Sequence, residues 1–153
     1  MDRKLIFNQD NLNKVITDFN ALSQAIDNIN FEIWTEIPEN FKSSYYKNEE
    51  LINPEIETFE KWETKLSKRP SPIYSVAVIG NEVISSIYGA EVYNERNMNL
   101  WATNSEYRQM QIGKAVLLNF IKYVFENNQN IPIKAWDITT EQVDKTLLKL
   151  GFK

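Results

Sequence analysis

Between residues 12 and 29 the apolar positions are Leu12, Val15, Ile16, Phe19, Leu22, Ile26 and Ile29, spaced three and four apart. That spacing gathers them on one side and predicts a helix with one buried face. Ahead of it, Lys4–Phe7 is a short apolar run suited to a first strand. Behind it, Phe31, Ile33, Trp34 and Ile37 form a second apolar stretch that stops at Pro38. Two weaker helices are predicted next, one around Phe41–Leu51 and one opened by Pro54 and carrying Ile56, Phe59, Trp62 and Leu66. Arg69-Pro-Ser-Pro72 breaks the chain, and beyond it the period changes. Ile73–Ile79 and Val83–Val92 flank Gly80-Asn81 and read as an antiparallel hairpin, and Tyr93–Asn97 reads as a second turn leading to a strand at Met98–Thr103. A helix with Val116, Leu117, Phe120, Ile121 and Val124 on its buried face follows, ended by the Asn-rich cluster at 127–130. Ile131–Trp136 reads as one more strand. Thr139 or Thr140 caps a last helix whose apolar face is Val143, Leu147 and Leu150, with Gly151 as its stop.

The passage from Thr103 into the helix is a polar elbow. Where a strand turns into a helix through a loop of unpaired N–H groups, those donors and the helix dipole converge and favour an anion, a phosphate above all. Arg108 adds a fixed cation there, and Gly113 allows close backbone approach to a ligand.

Composition narrows the chemistry. The chain has 153 residues, enough for one domain that buries about 68–70% of its unfolded surface. It contains neither cysteine nor histidine, which removes disulfides, thiol nucleophiles, thiolate zinc sites and imidazole bases. Acid–base work therefore falls to carboxylate, tyrosine, lysine or water. A net charge of −4 argues against a general nucleic-acid surface, and no apolar run approaches the ~18 residues of a membrane span. A cytoplasmic location is the default expectation. Trp34, Trp62 and the Tyr45-Tyr46 pair are candidates for an acceptor pocket, but aromatics at helical spacing are more often core.

From Ile73 to Lys153 the order of elements, together with two motifs, resembles the GNAT superfamily of acyl-CoA N-acyltransferases. Tyr107-Arg-Gln-Met-Gln-Ile-Gly-Lys-Ala115 resembles the family's Arg/Gln-x-x-Gly-x-Gly/Ala loop at Arg108 and Gly113, with Gln111 where the first glycine is usual. Leu147-Leu-Lys-Leu-Gly-Phe-Lys153 resembles the Leu-Tyr-x-x-x-Gly-Phe ending of the last common helix. Trp136-Asp137 followed by that ending is similar to one branch found in tandem GNAT proteins.

The resemblance implies an α/β fold with a mixed central sheet flanked by helices and a splayed parallel strand pair. It further implies a single domain, 1–153, with residues 1–72 a mainly helical part on the acceptor side and 73–153 the acyl-CoA-binding core. Acetyl-CoA is the implied acyl donor. Its pantetheine arm would lie beside Trp101, Ala102 and Thr103, and its diphosphate on the amides of Gln109, Met110, Gln111, Ile112, Gly113 and Lys114, with Arg108 assisting. The main-chain N–H of Trp101 would face the acetyl carbonyl, and a primary amine, on a small molecule or a protein, would be acetylated by direct attack.

Two residues common in the family are replaced. Asn97 and Asn99 stand where many relatives carry a glutamate, and strand alternation puts both on the face of Trp101; Leu147 stands where many carry a tyrosine acid. Asp137 is the best candidate base, ahead of Glu91 and Glu95. These replacements motivate the alternative of a non-catalytic GNAT-like module that binds acyl-CoA or a protein. The sequence also stops where the family's two last strands normally follow, so the strand at 131–136 is expected to present an open edge. A second copy of the chain, the segment Phe31–Ile37, or further chain would cover it; a homodimer or a longer product is the expectation.

Overall fold

The computed structural model describes residues 5–50, 64, 68–92, 95–104, 106–107, 111–127, 132–135 and 141–153. Its elements are β1 (Leu5–Ile6), α1 (Leu12–Ala25), β2 (Asn30–Trp34), α2 (Lys42–Glu49), β3 (Ile73–Ile79), β4 (Glu82–Val92), β5 (Glu95–Thr103), α3 (Ile112–Asn127), β6 (Ile133–Ala135) and α4 (Glu141–Lys149). The helix expected from Pro54 and the threonine cap expected before α4 lie outside the described residues. β5 begins three residues earlier than the sequence suggested, because Glu95, Arg96 and Asn97 pair with β4 instead of turning.

The six described strands form one sheet in the order β1-β6-β5-β4-β3-β2, with β5 and β6 a parallel pair. The first 72 residues, which read as mainly helical, thus supply a strand to each edge.

Alternation along the strands creates two cores. On one face Ile73, Ala77, Ile87 and Met98 meet Val116, Phe120, Ile121 and Val124 of α3, and α1 packs along α3 above them. On the other face Trp34, Tyr74, Val76 and Tyr88 meet Tyr45 and Tyr46 of α2. The tyrosine pair considered for an acceptor pocket is therefore core, with the rings of Tyr45 and Tyr74 edge to face at 5.4 Å. Each fully buried Leu, Ile or Phe contributes about 1.5–3 kcal/mol relative to exposure, so the α3 face dominates the stability of the sheet.

The edge of β6 is covered from within the chain, which corrects the expectation of a second copy or further chain there. Leu5 and Ile6 pair antiparallel with Ala135 and Lys134, and the Phe7 N–H donates to the Ile133 carbonyl at 3.0 Å. On its far side β1 carries the C-terminal tail: Ile6 and Lys153 exchange backbone bonds of 2.9 and 2.8 Å, and the Asn8 N–H donates to the Gly151 carbonyl. Phe31–Ile37, the other candidate cover, runs instead into β2 at the opposite edge, opposite Tyr74–Val78.

Gly151 makes this closure possible. At φ +98° it ends α4 with the Phe152 N–H on the Leu147 carbonyl and its own N–H on the Leu148 carbonyl, the paired bonds of a left-handed glycine cap. The cap turns Phe152 inward against Phe7, ring centroids 5.4 Å apart.

Candidate functional site

Among the described residues β5 and β6 pair in parallel at Arg96–Ile133, Asn97–Lys134 and Met98–Ala135, and β5 continues to Thr103. Past Met98, no strand among the described residues lies on that side of β5.

A β-bulge lies just beyond the last of these pairs. Ser86 faces Ala102 and Tyr88 faces Asn99, so the single residue Ile87 stands against both Leu100 and Trp101. One extra residue in β5 bends the strand and reverses the alternation of its side chains. Met98 and Trp101 consequently share the α3 face. Asn97 falls opposite Ala90 on the α2 face. The expected common face for Asn97 and Trp101 is thus wrong, because a period of two does not survive an inserted residue.

Two contacts fix β5 just beyond the bulge. Asn48, buried on α2, donates its amide to Ser86 Oγ at 3.1 Å and to the Ala102 carbonyl at 3.2 Å, tying α2 to both strands. On the α3 face Ser85 Oγ and Thr103 Oγ1 lie 2.8 Å apart. Nothing in the helical spacing of residues 42–49 singles out Asn48; it is a lone polar residue whose partners are 38 and 54 positions away.

At the elbow the Asn104 N–H donates to the Ile84 carbonyl at 2.7 Å, while Asn104 Oδ1 accepts the Glu106 N–H, the side-chain turn that asparagine favours. Residues 105 and 108–110 lie outside the described residues, and with them the site candidates Arg108, Gln109 and Met110. Gln111 is described: it has φ +60°, and its carbonyl accepts the Ala115 N–H at 3.0 Å to open α3. A left-handed residue leading straight into a helix N-terminus turns successive N–H groups inward, and the first N–H groups of α3 have no intrahelical acceptor. The glutamine thus occupies the backbone conformation that explains why glycine is usual at this position of the motif.

Replacing Gln111 with glycine is accordingly expected to stabilise the protein by up to about 1 kcal/mol, the left-handed cost of roughly 1–2 kcal/mol less the entropy that glycine loses on folding. Urea denaturation measures it, and a lower midpoint for Gln111→Gly would contradict the assigned strain.

Gly113 has a packing role as well. A Cβ on Gly113 would lie 2.6 Å from Thr103 Oγ1 and 3.5 Å from the Trp101 indole nitrogen. Its missing side chain therefore lets α3 lie against β5. The Trp101 indole N–H closes that contact on the Gly113 carbonyl at 3.1 Å. Trp101 and Thr103 of β5 are joined in this way to Gly113 at the start of α3.

The acid–base candidates are less well represented. Asp137 lies outside the described residues. Glu95 is ion-paired with the buried Lys134, and Glu91 lies opposite Arg96 at the far end of β5 from the elbow. Leu147, at the family's tyrosine position, is buried in the α3-face core and has no proton to give. No group of three or more metal-ligating side chains occurs among the described residues, and no helix among them is long and apolar enough to cross a membrane.

No protein-family model matches the chain, and no curated protein matches it in sequence. Solved structures match it in fold. A tandem GNAT protein from the clavulanic acid biosynthesis pathway superposes with a TM-score of 0.71 at 11% identity, covering 99% of this chain and 49% of that one. A GCN5-related N-acetyltransferase from Sphaerobacter thermophilus gives 0.67 at 13% identity, covering 83% and 42%. A functionally unknown conserved protein from Staphylococcus epidermidis ATCC 12228 gives 0.67 at 10% identity, covering 98% and 56%. The chain spans about half the length of these structures, and at such identities the likeness is one of fold.

Proposed function

We propose that this chain, which has the fold of the GNAT acetyltransferases, binds acetyl-CoA in the fork of β5 and β6 and transfers its acetyl group to a primary amine. The observation that carries the reading is the bulge at Leu100–Trp101 in β5, beside the parallel pairing of β5 with β6 at Arg96–Met98 and ahead of the left-handed Gln111 that opens α3. The residues present fit the donor. A pantetheine arm has the spacing of amide groups to pair with β5 at Trp101–Thr103, on the side away from β4, as an added strand. A diphosphate matches the inward N–H groups from Gln111 to Lys114. Arg108, Gln109 and Met110 complete that cradle in this reading.

The thioester supplies an activated acyl group whose leaving thiolate is stable in water. The chain's own part is to position and polarise. In this reading the main-chain N–H of Trp101, at the bulge, faces the acyl oxygen and stabilises the negative charge developing there. The amine attacks in its neutral form, and Asp137 takes its proton directly or through water. Since Leu147 offers no acid, the departing sulfur takes its proton from solvent. Holding amine and thioester in contact provides most of the acceleration.

Acetyl-CoA titrated to 100 times its dissociation constant is expected to stabilise the protein by about 2.7 kcal/mol in chemical or thermal denaturation. No displacement of the transition at millimolar acetyl-CoA would remove the proposal. Release of free thiol across a panel of primary amines then tests transfer. Binding without thiol release would favour the second reading, an acyl-CoA-binding module without turnover, for which the buried hydrocarbon at Leu147 is the motivating observation.

A further inference from the structure

Arg96 is the least satisfied charge among the described residues. It stands at the start of β5 on the α3 face, and it is only 4% exposed. Of its five donors, one on a terminal nitrogen reaches the Ser71 carbonyl, and Nε is buried with no hydrogen-bond partner. The carboxylate opposite it in register, Glu91, attracts it without forming an ion pair. Burial pushes the guanidinium below its ordinary pKa, with Glu91, Tyr123 and Tyr88 opposing that shift. Even so, arginine keeps its charge in proteins. A buried cation that has only one neutral acceptor is costly, and native folds keep such groups paired.

The missing acceptors have room. A cavity of about 280 Å³ opens beside Arg96, between the C-terminal end of α3 and the turn that leads into β3. Ile73, Val124 and Pro72 give it apolar walls, while Tyr123 and Thr35 add hydroxyls and Asn127 an exposed amide at the rim. It holds about nine water-sized volumes at about 30 Å³ each.

We infer that this cavity is a binding site for a small monocarboxylate with a short hydrocarbon body, anchored by the Arg96 guanidinium. A planar carboxylate matches the guanidinium fork with two parallel hydrogen bonds. The apolar walls take the hydrocarbon. Arg96 is the one basic side chain among the described residues that line the cavity, so a monoanion balances the charge whereas a phosphate dianion leaves an excess. The site lies apart from the proposed acetyl-CoA contacts: Arg96 and Trp101 are five residues apart along β5, at most about 17 Å at about 3.3 Å per residue.

Calorimetric titration of the whole protein with sodium butyrate, butyramide and inorganic phosphate tests the assignment without reference to any activity. Butyrate is expected to bind at least about tenfold more tightly than butyramide, the margin of a charge-assisted hydrogen bond over a neutral one, and more tightly than phosphate. Arg96→Met removes binding, and Thr35→Tyr, a change at an exposed rim position, blocks it in a protein whose core is untouched. Glu91→Gln leaves it intact or tightens it. No butyrate binding, equal affinity for the amide, preference for phosphate, or butyrate binding that survives Thr35→Tyr or a folded Arg96→Met each overturns the inference. Loss of butyrate binding in Glu91→Gln does so as well.

Discussion

Gly89→Ala is expected to destabilise the protein at the upper end of the about 1–3 kcal/mol typical of overpacking, or beyond it. Gly89 lies on β4 opposite Met98, the last β5 residue paired with β6. An added Cβ would meet the Phe120 ring of α3 and, at 2.6 Å, the main-chain oxygen of Asn97. A ring can turn aside, but the carbonyl belongs to the sheet and cannot retreat without moving β5. Gly89→Ala combined with Phe120→Leu should therefore recover only the part due to the ring, a coupling that a double-mutant cycle isolates. Because the displaced strand is the one on which the proposed acetyl-CoA site is built, stabilisation by acetyl-CoA should fall along with the urea midpoint. A Gly89→Ala protein within about 0.5 kcal/mol of the parent would show that the strands are farther apart than described.

Phe152→Ala is expected to cost about 3–5 kcal/mol, as for other buried phenylalanines. Phe152 is 1% exposed and contacts Phe7, whose ring also lies 5.4 Å from that of Phe125. Its loss empties a site at which three segments meet: the end of α4, β1 and the C-terminal end of α3. It also loosens the tail that flanks β1, and with β1 goes the cover of β6. The variant should thus show concentration-dependent light scattering at denaturant levels where the parent remains monodisperse, since an uncovered strand edge pairs with other chains. A drop of under 1 kcal/mol, with no added scattering, would mean that the β6 edge is held by other contacts.

Local pattern carried much of the fold. The three-and-four spacing from Leu12 to Leu22 gives α1, the Gly80-Asn81 turn gives the β3–β4 hairpin, and the buried face from Val116 to Val124 gives α3. The elbow was legible for the same reason: a strand, a polar loop and a helix start are short-range features. Gly151 was legible because a left-handed stop is set by the residues on either side of it.

The sequence by itself therefore determined α1, the β3–β4 hairpin, α3 and the position of the turn from β5 into α3, all consequences of chemistry within a few residues. Tertiary structure alone decided which strand covers β6, since β1 and the tail at 151–153 are brought together from opposite ends of the chain. It also decided the bulge at Leu100–Trp101, because an extra residue exists only relative to the partner strand that lacks one. The burial of Arg96 beside a cavity belongs to the same class: a charged residue in a strand reads as exposed until helix, turn and neighbouring strands enclose it from three directions.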